Sequence, residues 1–408
     1  MWKNERRIFP IILKVLAGIL CVAIAVALFY AIKRQQRIEE DENKMFLQSY
    51  YKQVEAETEK SQANLDLVYN TYAENLAVVE KNLPGLVFWG DTLTLGAVNG
   101  VSYPSVIKEK IDENICSRYN LRKEMSKIGD YSVSRLDWDS FKISVPVVNM
   151  GAEAENAVTV AGRAGAVPFM VYQDFEIPED REPVRIYLRS SFDSLSVNPL
   201  VKSNDNGINE VIINGISGRL SLDNKGYYSF TRSLPGMSVN VSAGTEVITA
   251  ASTLYRDYIP VILIGTYGGF DKAKQLVDVV KQLVERHKTE SGRYLVLSPF
   301  TADADFYYTN FNEIEDQMQA EFGENFINVR KYFCSDALSD AGIAMTDEDE
   351  HNIAYGKVPA SILNPLSKTE LSATGYRLLG EFIYNRMEQL GWFDEIRTEC
   401  GIEAYENN

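Results

Sequence analysis

The chain has 408 residues, 24% charged and 45% hydrophobic, a globular composition that predicts two or three folded units at roughly 100–200 residues each. The formal charge of −16 is uneven: Lys3, Arg6, Arg7, Lys14, Lys33, Arg34 and Arg37 against Glu5 give residues 1–37 a net +6, which leaves −22 on the remainder. An acidic body of that size repels polyphosphates and excludes nucleic-acid binding, two histidines (His287 and His351) exclude a three-imidazole site, and Cys21, Cys116, Cys334 and Cys400 form no CxxC pair for a zinc ribbon or a disulfide framework.

Residues 1–37 read as a membrane anchor with basic flanks. Val15 to Ile32 is an uncharged apolar run of 18 residues, close to the ~20 that span a bilayer core as a helix. It is longer than the roughly 7–15 apolar residues of a signal peptide. It also ends in Phe29-Tyr30-Ala31-Ile32-Lys33-Arg34 rather than in a small-x-small cleavage site. Basic residues stand on both sides of the run, so the positive-inside rule favours a cytoplasmic N-terminus only slightly. The expectation is a single-pass protein of the cell membrane with its C-terminal body outside.

Residues 38–84 read as a helical stalk. After Glu39-Glu40-Asp41-Glu42, neither glycine nor proline occurs before Pro84. Apolar or small residues recur at Leu47, Tyr51, Val54, Thr58, Ser61, Leu65, Val68, Tyr72, Leu76, Val79 and Leu83. These alternating steps of three and four are heptad spacing, with one slip at Tyr72 and a weak seam at Thr58 and Ser61. A parallel coiled coil that makes a homodimer and a single helix lying on its own domain both fit the pattern.

From Gly85 onward, apolar strands alternate with helices. Expected strands are Gly85–Gly90, Ile143–Val148, Ile259–Ile264, Tyr294–Leu297 and Phe326–Val329. Expected helices include about 105–114, one of roughly 18 residues through Ala273, Leu276, Val277, Val280 and Val284, one near 312–322, and a last one capped by Ser372. This alternation implies an α/β fold with a parallel sheet covered on both faces, a three-layer α/β/α arrangement. Residues 175–255 break the pattern. Val184–Leu188, Glu210–Ile213, Gly226–Phe230 and Met237–Val241 are short strands, and Asn214-Gly215 and Pro235-Gly236 are turn signals. They read as an inserted all-β subdomain that divides the α/β domain into 85–174 and 256–408.

Four blocks stand at the ends of these elements, in this order: Phe88-Trp89-Gly90-Asp91-Thr92-Leu93-Thr94-Leu95-Gly96, Asn149-Met150-Gly151-Ala152-Glu153-Ala154-Glu155, Ile264-Gly265-Thr266-Tyr267-Gly268-Gly269, and Ser367-Lys368-Thr369-Glu370 leading to Gly375-Tyr376. Together they resemble the SGNH/GDSL hydrolase superfamily, in a bacterial, membrane-anchored form with an inserted β domain. The resemblance implies a serine nucleophile after the first strand, glycine and asparagine oxyanion donors in the next two blocks, and an Asp-x-x-His pair in the last. Here those positions hold Thr92, Ala154, Tyr267, Ser367 and Glu370, so every defining polar residue has changed.

Acyl transfer on that template needs a hydroxyl, a base and oxyanion donors. Thr92 keeps a hydroxyl, but its extra methyl stiffens χ1. Ala154 retains a backbone N–H, and Asp91 and Tyr267 line the expected cleft. Glu370 in the histidine position is a far weaker base than imidazole. His351 is an alternative base, in the charged loop expected at Thr346–His351. His287, late in its helix, reads as solvated or as helix-end decoration. The acid run Asp347–Glu350 and the pair Asp303 and Asp305 read as loop polarity, so no metal and no cofactor is expected.

The leading expectation is a catalytically degenerate protein that binds or scaffolds a surface glycan, peptidoglycan or a protein partner. The alternative is an active esterase or carbohydrate O-deacetylase with Thr92 as nucleophile and a rebuilt base. A purely structural or sensory ectodomain with a filled cleft is a third possibility.

Overall fold

The computed structural model describes residues 5–96, 100–116, 143–203, 205–287, 289–300, 311–366 and 370–399. Ser367, Asp303, Asp305 and Cys400, named above, lie outside them. The chain enters as α1 (Glu5–Asn82), a helix of 78 residues. The run Val15–Ile32 lies within it with every side chain exposed, and α1 is long and apolar enough there to cross a membrane. At its far end Val79 is buried, and so is Leu83 just beyond it. Both join the core of the globular unit that follows.

That unit opens with β1 (Leu86–Gly90), α2 (Thr92–Leu95), α3 (Tyr103–Ile111), β2 (Val147–Gly151) and α4 (Ala157–Arg163). Nine short strands come next: β3 (Phe169–Val171), β4 (Phe175–Ile177), β5 (Val184–Ile186), β6 (Leu188–Ser190), β7 (Val211–Ile213), β8 (Ile216–Leu222), β9 (Tyr228–Arg232), β10 (Val239–Val241) and β11 (Glu246–Ile248). The chain then resumes the first pattern with β12 (Ile259–Leu263), α5 (Ala273–Arg286), β13 (Leu295–Leu297), α6 (Phe311–Phe322), β14 (Phe326–Ile327), α7 (Val329–Ser335), α8 (Asp347–Ala354) and α9 (Ala373–Gln389).

β1, β2, β12, β13 and β14 form a parallel sheet in the order β14-β13-β12-β1-β2. β1 shows why both faces are covered. Leu86 and Phe88 point into one apolar core with α3, α7 and α9, whereas Val87 and Trp89 point into another with α4, α5 and α6. The strand order reverses between β1 and β12, and open sheets of this kind receive ligands at the carboxyl ends of the strands flanking such a reversal.

The other strands form an antiparallel sheet in the order β5-β9-β8-β7-β11-β3-β6, with β4 and β10 paired beside it. Its two edge strands, β5 and β6, are consecutive in the chain and separated only by Tyr187. The segment read as one strand over 184–188 therefore bends at Tyr187 and serves both edges, so the sheet is nearly a barrel. The second parallel strand also differs from its sequence reading. It begins at Val147 because Pro146 has no N–H to donate; its carbonyl instead accepts from Leu86 N at 2.8 Å.

One fully buried side chain joins the two sheets. Arg163, at the end of α4, is 0% exposed. Its Nε donates to Glu155 Oε2 at 2.7 Å, Nη2 to Met150 O at 3.0 Å and Nη1 to Asn206 O at 3.1 Å. The guanidinium also lies 5.8 Å from the Trp89 ring centre. Arg163→Ala strands the Glu155 carboxylate and is expected to cost about 3–5 kcal/mol. Arg163→Met combined with Glu155→Leu removes both charges and is expected to recover most of that loss. Urea unfolding of the three proteins checks both expectations; an Arg163→Ala protein as stable as the parent would contradict them.

Candidate functional site

The site begins where β1 stops. Gly90 is required there, because a Cβ would stand 1.9 Å from Thr94 Oγ1 and 2.6 Å from Leu263 O. The chain turns at once into α2, capped by Asp91, whose Oδ1 accepts from Leu93 N at 2.9 Å. At the end of β2, Gly151 meets the same turn: a Cβ there would lie 2.1 Å from Leu95 N. Asn149 clamps the two segments. Its Nδ2 donates to Thr94 O at 2.9 Å and Leu95 O at 3.2 Å, and its Oδ1 accepts from Gly151 N at 2.9 Å. Asn206, from the stretch before β7, adds a bond from Nδ2 to Gly151 O at 2.6 Å.

These contacts bring Thr92 against the segment after β2. Ala154 N donates to Thr92 Oγ1 at 2.7 Å. Ala154 reaches this position at φ +50°, a left-handed conformation that costs an alanine on the order of 1 kcal/mol. The next residue, Glu155, is fixed by Arg163, so the strained segment is held from its far side. Thr92 is 8% exposed.

Tyr267 stands in the Gly265–Gly269 turn after β12 and is half-buried. Its phenol lies against Thr92. Burial raises its pKa above the ordinary 10 by more than the Thr92 hydroxyl lowers it, and the charges of Asp91 and Glu370 add to the rise. At neutral pH Tyr267 is therefore a protonated phenol and no base. Glu370 is also half-buried, with Oε2 accepting from Asn364 Nδ2 at 3.3 Å. The structure thus gathers Asp91, Thr92, Ala154, Tyr267 and Glu370 around one end of the parallel sheet.

Beneath these residues lie two buried polar atoms without hydrogen-bond partners among the described residues, Asp91 Oδ2 and Tyr376 Oη. Burial dominates both environments. It lifts the Asp91 carboxyl from 3.8 to about 7, although Leu93 N and Thr266 pull the other way. The Tyr376 phenol is also raised, by burial first and then by the charges of Glu370 and Asp91. Asp91 is 0% exposed, so it acts on Thr92 through the backbone of the turn and not on a ligand.

Both histidines are engaged elsewhere. His287 stands at the end of its helix, one of its two sequence readings, but it is not solvated. An indole N–H can only donate, so the 2.9 Å contact from Trp89 Nε1 makes His287 Nε2 an acceptor. Nδ1 then carries the proton and donates to Tyr258 O at 3.0 Å. Burial, the largest cause, lowers its pKa to about 4. His351 is exposed on α8 with its ring 4.9 Å from that of Tyr355.

The segment expected as a charged loop is α8 itself. Asp349 is buried, accepting from Thr346 N, Thr346 Oγ1, Ser361 N and Ser361 Oγ at 2.6–2.9 Å. Burial pushes its carboxyl up, but these bonds outweigh it and the net shift is down. Sequence reasoning quoted Asn149 and Tyr376 within the blocks without giving them a role, and passed over Asn206. Asn149 had a visible signal, as a lone amide in the apolar run Val147–Met150.

No protein-family model matches the sequence, and no curated protein sequence matches it. One solved structure, recorded as a peptidoglycan O-acetylesterase in action, aligns over 80% of this chain and 96% of its own at 10% identity, with a TM-score of 0.29. That score is too low to transfer a site or a chemistry.

Asp91 and His287 give folding opposite pH dependences. Folded Asp91 keeps its proton up to about 7, whereas the unfolded chain releases it near 3.9. Its contribution to stability therefore falls as pH rises through that window. Folded His287 stays neutral down to about 4, whereas the unfolded imidazole protonates near 6.5. Its contribution falls as pH drops through that window. Asp91→Asn leaves only the second slope. Between pH ~6.5 and ~4 this variant is expected to lose on the order of 3 kcal/mol more than the parent. Urea unfolding across that range checks it, and parallel curves for the two proteins would contradict it.

Proposed function

We propose that this cleft is a binding site that does not hydrolyse esters, carried by a degenerate member of the SGNH/GDSL superfamily. The observation that carries the reading is the state of the Thr92 hydroxyl. It accepts the Ala154 N–H, the amide that the family resemblance assigns to the oxyanion. Among the described residues, the phenol that lies against it holds its proton and both imidazoles serve other contacts. A hydroxyl left protonated is a poor nucleophile.

The apolar stretch of α1 supports a single-pass membrane anchor. The acidic body and the polar cleft support action on a neutral or cationic surface ligand: a glycan, peptidoglycan or a protein partner at the outer face of the cell membrane.

Hydrolysis of p-nitrophenyl acetate and of O-acetylated glycans by the full chain in detergent tests the proposal. The parent and Thr92→Ala are expected to show the same rate, at the level of the buffer alone. A parent rate that Thr92→Ala lowers by about 100-fold or more would overturn it, because losses of that size follow removal of a working catalytic group.

A further inference from the structure

The opposite end of the parallel strands carries a second constellation of polar groups. Residues Ala251–Tyr258 lead from the antiparallel sheet into β12 and lie against the end of α5, where Arg286 Nη2 donates to Ser252 O at 3.1 Å. Ser252, Thr253, Arg256, Asp257 and Arg286 line an open cavity of ≈ 410 Å³. All five are polar. Two of them are guanidiniums, in a protein whose body is strongly acidic.

Arg256 and Arg286 each bury an Nε that has no hydrogen-bond partner among the described residues. Arg286 is packed so closely that a Cβ on Gly165 would stand 3.1 Å from its Nε. The two charges feel each other: after burial, the Arg256 charge is the next cause lowering the Arg286 pKa, and Glu246 opposes it more weakly. Like charges half out of water are unfavourable until something neutralises them.

Helix-end stabilisation accounts for part of this arrangement. A helix C-terminus attracts a cation with about half an elementary charge, and the Arg286 bond to Ser252 O serves that role. It does not account for Arg256 or for the two open Nε donors. Two full positive charges also outweigh the dipole's half charge.

We propose that this cavity binds a phosphate ester carried on a sugar or polyol. The guanidiniums of Arg256 and Arg286 take the phosphoryl oxygens, the Thr253 hydroxyl adds a donor, and the exposed Asp257 carboxylate accepts from a hydroxyl of the carrier. Guanidiniums suit this task because they present several donors in a plane that matches phosphoryl oxygens. The cavity is large enough for more than the phosphate group, falling within the roughly 300–1,000 Å³ of small-molecule sites. The site lies at the opposite end of the strands from Thr92 and is independent of the reading of the Thr92 site.

Thermal unfolding of the full chain in detergent tests the proposal, in phosphate-free buffer with chloride held at constant ionic strength. Inorganic phosphate and glycerol 3-phosphate, titrated to about 20 mM, are expected to raise Tm by mass action, glycerol 3-phosphate more at equal concentration, and glycerol not at all. Arg256→Gln is expected to unfold no earlier than the parent without phosphate, since it relieves the like-charge contact, and to need roughly ten-fold more phosphate for the same shift. Asp257→Asn, on the exposed rim, provides a second variant. It is expected to keep or strengthen the phosphate response and to lose the advantage of glycerol 3-phosphate. No shift in the parent, or an equal phosphate response in Arg256→Gln, overturns the proposal.

Discussion

The cleft depends on one buried charge. Arg163 reaches the end of β2 through Met150 O, the segment behind Ala154 through Glu155, the stretch before β7 through Asn206 O, and β1 through the Trp89 ring. Taking a guanidinium fully out of water costs several kcal/mol, and its partners return that only when the geometry is complete. A pair of apolar residues would serve stability as well. The ion pair instead fixes positions. It holds the 152–156 segment at the height where a left-handed Ala154 can place its N–H on Thr92. Thr249 Oγ1, at the close of β11, also donates to Arg163 O at 2.6 Å, so the return from the antiparallel sheet is tied to the same residue.

What the sequence could show divides along the range of the forces involved. The unbroken apolar run Leu86–Trp89 reports burial on two faces, and the two cores follow from it. Ser372 is a local cap and could be read as one; its Oγ accepts from Gly375 N at 3.2 Å. Contacts between distant segments were out of reach. Trp89 and His287 are 198 residues apart, and an imidazole late in a polar helix carries no mark of an indole beneath it. Tyr187 gave no turn signal, since its bend comes from the closure of the antiparallel sheet. The acid run at Asp347–Glu350 was misread despite a legible cue. Thr346 and Asp349 have capping-box spacing, but four consecutive acids resemble a solvated loop more than a helix start.

The site was legible as a place and less so as a chemistry. The blocks at three strand ends marked the place, and the structure brings Asp91, Thr92, Ala154 and Tyr267 together there. The electrostatics could not be read from residue types. Asp91 looks like a solvent-facing helix cap, yet it is fully buried and titrates near neutrality because burial outweighs its hydrogen bonds. The sequence resemblance set Glu370 where a base would stand, but the phenol of Tyr267 lies against Thr92 and burial keeps it protonated. Among the described residues, the Thr92 hydroxyl therefore lies against a phenol that cannot activate it.

That statement about the Thr92 hydroxyl can be tested without knowing any ligand. A fluorophosphonate probe reacts with an activated serine or threonine and leaves a covalent adduct that intact-mass and peptide mass spectrometry locate. Incubation of the folded full chain in detergent is expected to leave Thr92 unmodified after hours at neutral pH. A stoichiometric adduct on Thr92 that disappears on denaturing the protein beforehand would show an activated nucleophile and contradict the account.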